Sequence, residues 1–177
     1  MTKLKMCGIR DPDNAIVAAE SGADFLGFVF VPETRRYINP DQAKEIIKTI
    51  RQIPGFNALE MVGLFANQSL TEINQIIKVC DLDYVQLCGQ ESLHYCEQVN
   101  ANVIKQIKIK TDFEFNWLVE TISKEVELVK DAGHIAMLDR YDPNALGGTG
   151  HTFNWEIAKR IANSYNIMLA GGLNPGN

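Results

Sequence analysis

Histidine is scarce in this 177-residue chain, with three in all, and none of its four cysteines forms a C-x-x-C pair. His94 and His134 stand at no ligand-like spacing to Cys7, Cys80, Cys88 or Cys96, so neither a metal centre nor a disulfide framework is expected. Thiols without a framework fit a reducing, cytoplasmic compartment. No apolar run approaches a membrane span, and the opening residues Met1-Thr2-Lys3-Leu4-Lys5 lack the apolar stretch of a secretion signal. The formal net charge of −5, with no basic stripe, argues against a nucleic-acid partner. An anionic substrate has to be captured locally, by backbone N–H groups or a single arginine.

What is present is an alternation of strand and helix signals. An apolar content of 46% and a charged content of 22% describe one globular domain, 1–177, with enough material for a core that needs no disulfide or metal. Lys5-Met6-Cys7 reads as a short strand, and Asp11-Pro12 as a helix start with aspartate as cap and proline pre-set for the first turn. Ala15, Ala18, Ala19 and Gly22 fall on one small-residue face of that helix. Residues 25–30 form a continuous apolar run, as a strand covered on both faces requires. Asn39-Pro40 repeats the cap, and Ala43, Ile46, Ile47 and Ile50 follow at helical spacing.

Strand 61–66 precedes a capping box, Ser69 to Glu72, whose helix turns Ile73, Ile77 and Cys80 inward. Then come strand 84–88, a short helix over 91–99, strand 103–109, and an amphipathic helix carrying Phe115, Leu118, Val119 and Ile122. Strand 135–138 ends at Asp139. A helix with Trp155, Ala158 and Ala162 on its buried face leads to strand 167–170 and Gly171-Gly172.

Seven βα beats of about 25 residues imply a parallel sheet with right-handed crossovers. An open doubly wound sheet usually carries G-x-G-x-x-G or a P-loop near its start, and neither occurs. Apolar strands with chemistry at several strand ends favour the (β/α)8 TIM barrel. Asn174-Pro175 is a third cap-and-proline helix start, followed only by Gly176 and Asn177. The expectation is that an eighth βα unit is missing, that the open first and seventh strands promote self-association, and that one added unit restores a soluble, active monomer or homodimer.

Cys7 closes a strand and passes straight into a βα loop, which is how parallel α/β folds build sites, although a lone cysteine is more often a small core residue. Further segments sit at strand ends: Arg35-Arg36-Tyr37-Ile38, Leu138-Asp139, the glycine-rich Gly147-Gly148-Thr149-Gly150, and Ala170-Gly171-Gly172-Leu173-Asn174-Pro175. With Lys5-Met6-Cys7-Gly8-Ile9, Gly27-Phe28-Val29-Phe30, Val62-Gly63-Leu64-Phe65 and Val85-Gln86-Leu87, they resemble, in order along the whole chain, the phosphoribosylanthranilate isomerase family of tryptophan biosynthesis.

That resemblance implies an Amadori rearrangement of a phosphosugar, N-(5-phosphoribosyl)anthranilate, without cofactor or metal. It implies Cys7 as general base and Asp139 as general acid, with Arg36 on the anthranilate carboxylate and Gly171 and Gly172 at the phosphate. An ordinary thiol is mostly protonated at neutral pH, so Cys7 requires positive potential nearby. Asp139 must keep its proton, which calls for burial or a neighbouring negative charge.

Asp142 is the local competitor for the acid role, and Arg35 reads as a solvated loop charge. Gly171 and Gly172 also fit a plain left-handed turn, and the loop 147–150 reads as a flap over the site. Gln86 receives no firm role. Cys88 stands where the family often has histidine, a departure that bears on substrate positioning. Two alternatives stay open. One is a related phosphosugar barrel with a lysine acid, for which Lys5 and Lys105 lie outside any matching motif. The other is a truncated, inactive phosphosugar-binding fragment.

Overall fold

The computed structural model describes residues 2–32, 34–143 and 150–177, and the chain divides into two compact units. The first comprises residues 1–87 and 98–102. It contains β1 (Lys5–Cys7), α1 (Pro12–Glu20), β2 (Phe25–Val29), α2 (Pro40–Arg51), β3 (Glu60–Phe65), α3 (Leu70–Cys80) and β4 (Tyr84–Leu87). The strands pair in parallel in chain order, with Cys7 opposite Gly27, Gly27 opposite Val62 and Leu64 opposite Gln86. Parallel neighbours cannot be joined by a tight turn, so each pair is linked across a helix.

The helices begin where the caps predict. Asp11 accepts from the Asn14 N–H at 2.8 Å, Asn39 from Asp41 at 2.9 Å and Ser69 from Glu72 at 3.2 Å. Strand β2 is buried at every residue. Ala43, Ile46, Ile47 and Ile50 of α2 and Ile73, Ile77 and Cys80 of α3 are buried as their spacing requires. Phe30 and Phe65 stack with ring centroids 5.2 Å apart in the middle of this core. Gly22 departs from its expected place: α1 ends at Glu20, and Gly22 lies beyond it, exposed.

The second unit comprises residues 88–97 and 103–177. It holds α4 (Leu93–Cys96), β5 (Asn102–Ile109, its first residue belonging to the other unit), α5 (Phe115–Asp131), β6 (Ile135–Arg140), α6 (Trp155–Ala162) and β7 (Ile167–Leu169). Strand β6 pairs in parallel with β5 and β7. Its core joins Ile107, Ile109 and Leu138 of the strands to Leu118, Ile122 and Val126 of α5 and to Ile157 and Ile161 of α6.

Three expectations need correction here. The helix at 91–99 is a single turn, because Ser92 caps only Leu93–Cys96. Strand β6 runs on through Arg140, so Asp139 lies within it, held by the Tyr141 N–H donating to the Ile109 carbonyl at 2.9 Å. In α6 the buried face is Ile157, Ala158 and Ile161, with Trp155 partly covered and Ala162 exposed. At Asn174-Pro175, Asn174 Oδ1 accepts from the Gly176 N–H at 2.9 Å. Residues 147–149 of the glycine-rich loop lie outside the described residues.

No helix among the described residues is long and apolar enough to cross a membrane. The caps and the core differ in weight. Ser69→Ala is expected to cost about 1 kcal/mol of stability through the lost cap. Ile73→Ala, at a fully buried position, is expected to cost about 2–5 kcal/mol. Chemical denaturation of both variants checks the order, and a costlier Ser69 variant would contradict it.

Candidate active site

In the first unit, β1 stops at Cys7 because the chain turns away there: the N–H groups of Gly8 and Ile9 both donate to the Gly27 carbonyl, at 2.9 and 3.0 Å. Cys7 is half-buried, whereas Cys80, Cys88 and Cys96 are buried. Opposite it, Gly27 has no side chain, and that absence makes room. A Cβ on Gly27 would stand 2.8 Å from Cys7 Sγ and 2.8 Å from Lys5 Nζ. The thiol and the lysine ammonium therefore share the space above Gly27.

Arg36 comes to the same strand end from the loop after β2. That loop is pinned by the Ile38 N–H donating to the Val29 carbonyl at 2.9 Å and by the Val29–Tyr37 bridge. The exposed Arg36 lays its aliphatic stem over Gly8, and its Nη1 lies 3.5 Å from the Cys7 carbonyl oxygen. Arg35 is exposed, and its carbonyl accepts from Arg10 at 3.1 Å. Lys5 thus borders the Cys7 thiol, and Arg36 lies at the Cys7 backbone carbonyl. Lys5 belongs to the segment Lys5-Met6-Cys7-Gly8-Ile9 but was given no role of its own. Its place beside Cys7 follows from two residues sharing one face of a strand, read together with a glycine on the neighbouring strand.

In the second unit, Asp139 is half-buried near the end of β6. Its Oδ1 accepts from the Arg140 N–H at 2.8 Å, and its Oδ2 accepts from Gln106 Nε2 at 2.7 Å. Burial pushes the Asp139 carboxyl up from its ordinary value, against the lowering pull of the Arg140 N–H, the Gln106 amide and the Lys108 charge. Burial outweighs all three. Gly171, after β7, packs against this carboxyl: its φ is +90° and an added Cβ would stand 2.8 Å from Asp139 Oδ1.

The structure thus brings Cys7 together with Arg36, and Asp139 together with Gly171. Gly172 lies beside Thr152, and its carbonyl accepts from Asn174 Nδ2 at 3.1 Å and Asn177 Nδ2 at 3.0 Å. Asp142 lies past the end of β6. Gln86 is buried on β4, with Cys88 buried just after that strand. Lys105 is engaged with Glu91 at 3.3 Å, both side chains largely out of water. Gln106 was not singled out from sequence. Its signal was a glutamine set between Lys105 and Ile107 in a strand that alternates apolar and charged residues. Among the described residues, no group of three or more histidine, cysteine or acidic side chains is arranged to hold a metal ion.

Parallel βα units define an α/β protein with a thiol near a strand end of the first unit and a partly dry carboxyl near a strand end of the second. Comparison with known proteins gives that class a family. A model of the N-(5'-phosphoribosyl)anthranilate (PRA) isomerase family matches residues 4–177. The chain is 42% identical over 177 residues to the N-(5'-phosphoribosyl)anthranilate isomerase of Geotalea uraniireducens, covering all of this chain and 80% of that protein.

The crystal structure of phosphoribosyl anthranilate isomerase from Thermotoga maritima superposes with a TM-score of 0.81 at 30% identity, covering 100% of this chain and 80% of that one. A phosphoribosyl anthranilate isomerase in complex with reduced 1-(o-carboxyphenylamino)-1-deoxyribulose 5-phosphate matches with a TM-score of 0.77 at 28% identity, covering 100% of this chain and 79% of that one. The chain belongs to the N-(5'-phosphoribosyl)anthranilate isomerase family.

Gly171→Ala tests the packing against Asp139. A β-carbon there is strained by the backbone and crowds the carboxyl, so the variant is expected to lose both stability and turnover. Ser164→Ala, at an exposed position away from these residues, serves as the control. A Gly171→Ala protein with unchanged melting temperature and turnover would contradict the packing.

Proposed function

We propose that this chain isomerises N-(5'-phosphoribosyl)anthranilate to 1-(o-carboxyphenylamino)-1-deoxyribulose 5-phosphate, with Asp139 as general acid and Cys7 as general base. The protonated Asp139 carboxyl gives its proton to the furanose ring oxygen. The C1′–O bond breaks, and the anthranilate nitrogen supplies the electron pair that forms the iminium. The Cys7 thiolate removes the C2′ proton, and the C–H electrons move to neutralise the iminium, giving an enolamine. Proton return to C1′ and loss of the enol proton leave the ketose. No redox partner enters, because the oxidation at C2′ and the reduction at C1′ balance within one molecule.

The observation that carries the acid assignment is the burial of Asp139, which holds its carboxyl above its ordinary value despite two hydrogen-bond donors. A carboxyl raised in this way retains more of the acid form as pH climbs, as a general acid near neutrality needs. For Cys7 the support is Lys5 beside its thiol, Arg36 at its backbone carbonyl, and its partial exposure among four thiols of which three are buried. Arg36, with its planar donor fork, binds the anthranilate carboxylate, and the backbone at Gly171 and Gly172 receives the phosphate. The same reading carries a single (β/α)8 domain, supported by parallel pairing in chain order within each unit and by the family match.

Cys7→Ala is expected to lower kcat by about 10²–10⁴, the usual loss when a general base is removed, with the melting temperature little changed. Activity within about tenfold of the parent would remove Cys7 from the role. Asp139→Asn should block ring opening while Asp142→Asn stays near the parent, and the reverse order would move the acid to Asp142. Arg36→Lys should chiefly raise KM through loss of the bidentate carboxylate contact. Loss of substrate fluorescence follows all of these rates.

A further inference from the structure

A buried acid that is repeatedly loaded and unloaded needs a neighbour that suits both of its states. The carboxylate only accepts hydrogen bonds, whereas the acid form has one proton to donate. On Asp139 the two oxygens are held differently. Oδ1 accepts from the Arg140 backbone N–H at 2.8 Å, a donor that cannot reverse. Oδ2 accepts at 2.7 Å from Gln106 Nε2, a side-chain amide whose other end is an acceptor. Gln106 is only 6% exposed, and its Oε1 is buried without a hydrogen-bond partner. An orphaned buried acceptor is costly and calls for an explanation.

Resting on the reading of Asp139 as general acid, we propose that Gln106 is a positioning residue whose amide turns with the protonation state of that carboxyl. Toward the carboxylate it presents Nε2–H. Toward the acid it presents Oε1, which accepts the Oδ2–H proton and is then no longer orphaned. The reorientation is a half-turn about one terminal torsion, whose preferences are broad. Neither state then leaves Oδ2 facing a mismatched partner.

The other charged and titratable groups around this carboxyl come from each neighbouring element. Lys108 on β5 pulls toward the charged form. Arg140 on β6 sends its Nη1 to the Thr152 carbonyl at 2.9 Å. His151 lies before α6, and its carbonyl is 3.3 Å from the position a Gly171 Cβ would take. Among these, Gln106 is the contact able to reverse its polarity.

The test uses the full chain labelled for side-chain NMR, with the Asp139 carboxyl carbon and the Gln106 amide followed as pH is varied. The Gln106 Nε2–H signals are expected to move with the same midpoint as Asp139. Amide signals that stay flat across the Asp139 titration would overturn the inference. In Gln106→Leu, which can neither donate nor accept, both bonds are lost, and the Asp139 midpoint should move to higher pH because the charge-assisted bond to the carboxylate is the stronger of the two. The basic limb of kcat should move with it. Loss of positioning should lower kcat by about 10- to 100-fold with KM nearly unchanged.

Gln106→Glu, of nearly the same shape, should also raise the Asp139 midpoint, now by sharing a proton between two carboxyls, and it keeps the test alive if the leucine variant does not fold. An Asp139 midpoint unmoved in the soluble variants overturns the inference. A midpoint that moves while kcat and its pH profile do not would leave the Gln106–Asp139 pair standing and overturn the acid role of Asp139.

Discussion

Parallel pairing between strands that follow one another in the chain sets the terms for everything else in this protein. Such strands point the same way, so the chain must return over the sheet before each new one begins, and an amphipathic helix is the compact way to return. In β2 the return covers every residue, which is why its one small position, Gly27, matters. It also delivers the C-terminal end of every strand to a loop, and side chains at those ends are free to serve chemistry while the rest serve packing.

At two strand ends the packing creates conditions that the loops alone do not. In the first unit, a missing side chain on β2 lets a thiol and an ammonium from alternate positions of β1 occupy one space. In the second, strand β6 carries an aspartate far enough into the protein that desolvation dominates its titration, even with a backbone donor, a side-chain donor and a lysine drawing it the other way. The opposition makes the carboxyl easy to retune: burial holds the proton on, and each polar neighbour lowers the cost of releasing it.

Much of this was readable from the chain. The caps at Asp11, Asn39 and Ser69, the apolar run of β2 and the helical spacing of Ile46, Ile47 and Ile50 are local signals backed by local physics, and they were met. Ala162 lost its place on the buried face of α6 to Ile161, the larger apolar side chain one position away. Cys7, Arg36, Asp139 and Gly171 stood out in the sequence as candidates near strand ends. Gln106 and Lys5 did not, because what sets them apart is contact with cross-strand neighbours more than 20 residues distant, Asp139 and Gly27.

The central claim is that one thiol and one carboxylic acid divide a single rearrangement between them. Its most direct measurement is the loss of fluorescence when N-(5'-phosphoribosyl)anthranilate is mixed with the protein, run beside a Cys7→Ala, Asp139→Asn double variant that has the same folded signal. The account predicts catalysed loss by the parent and a double variant at the uncatalysed background, no worse than the poorer single variant because the two groups act as a unit. Equal rates from the parent and the double variant would contradict it.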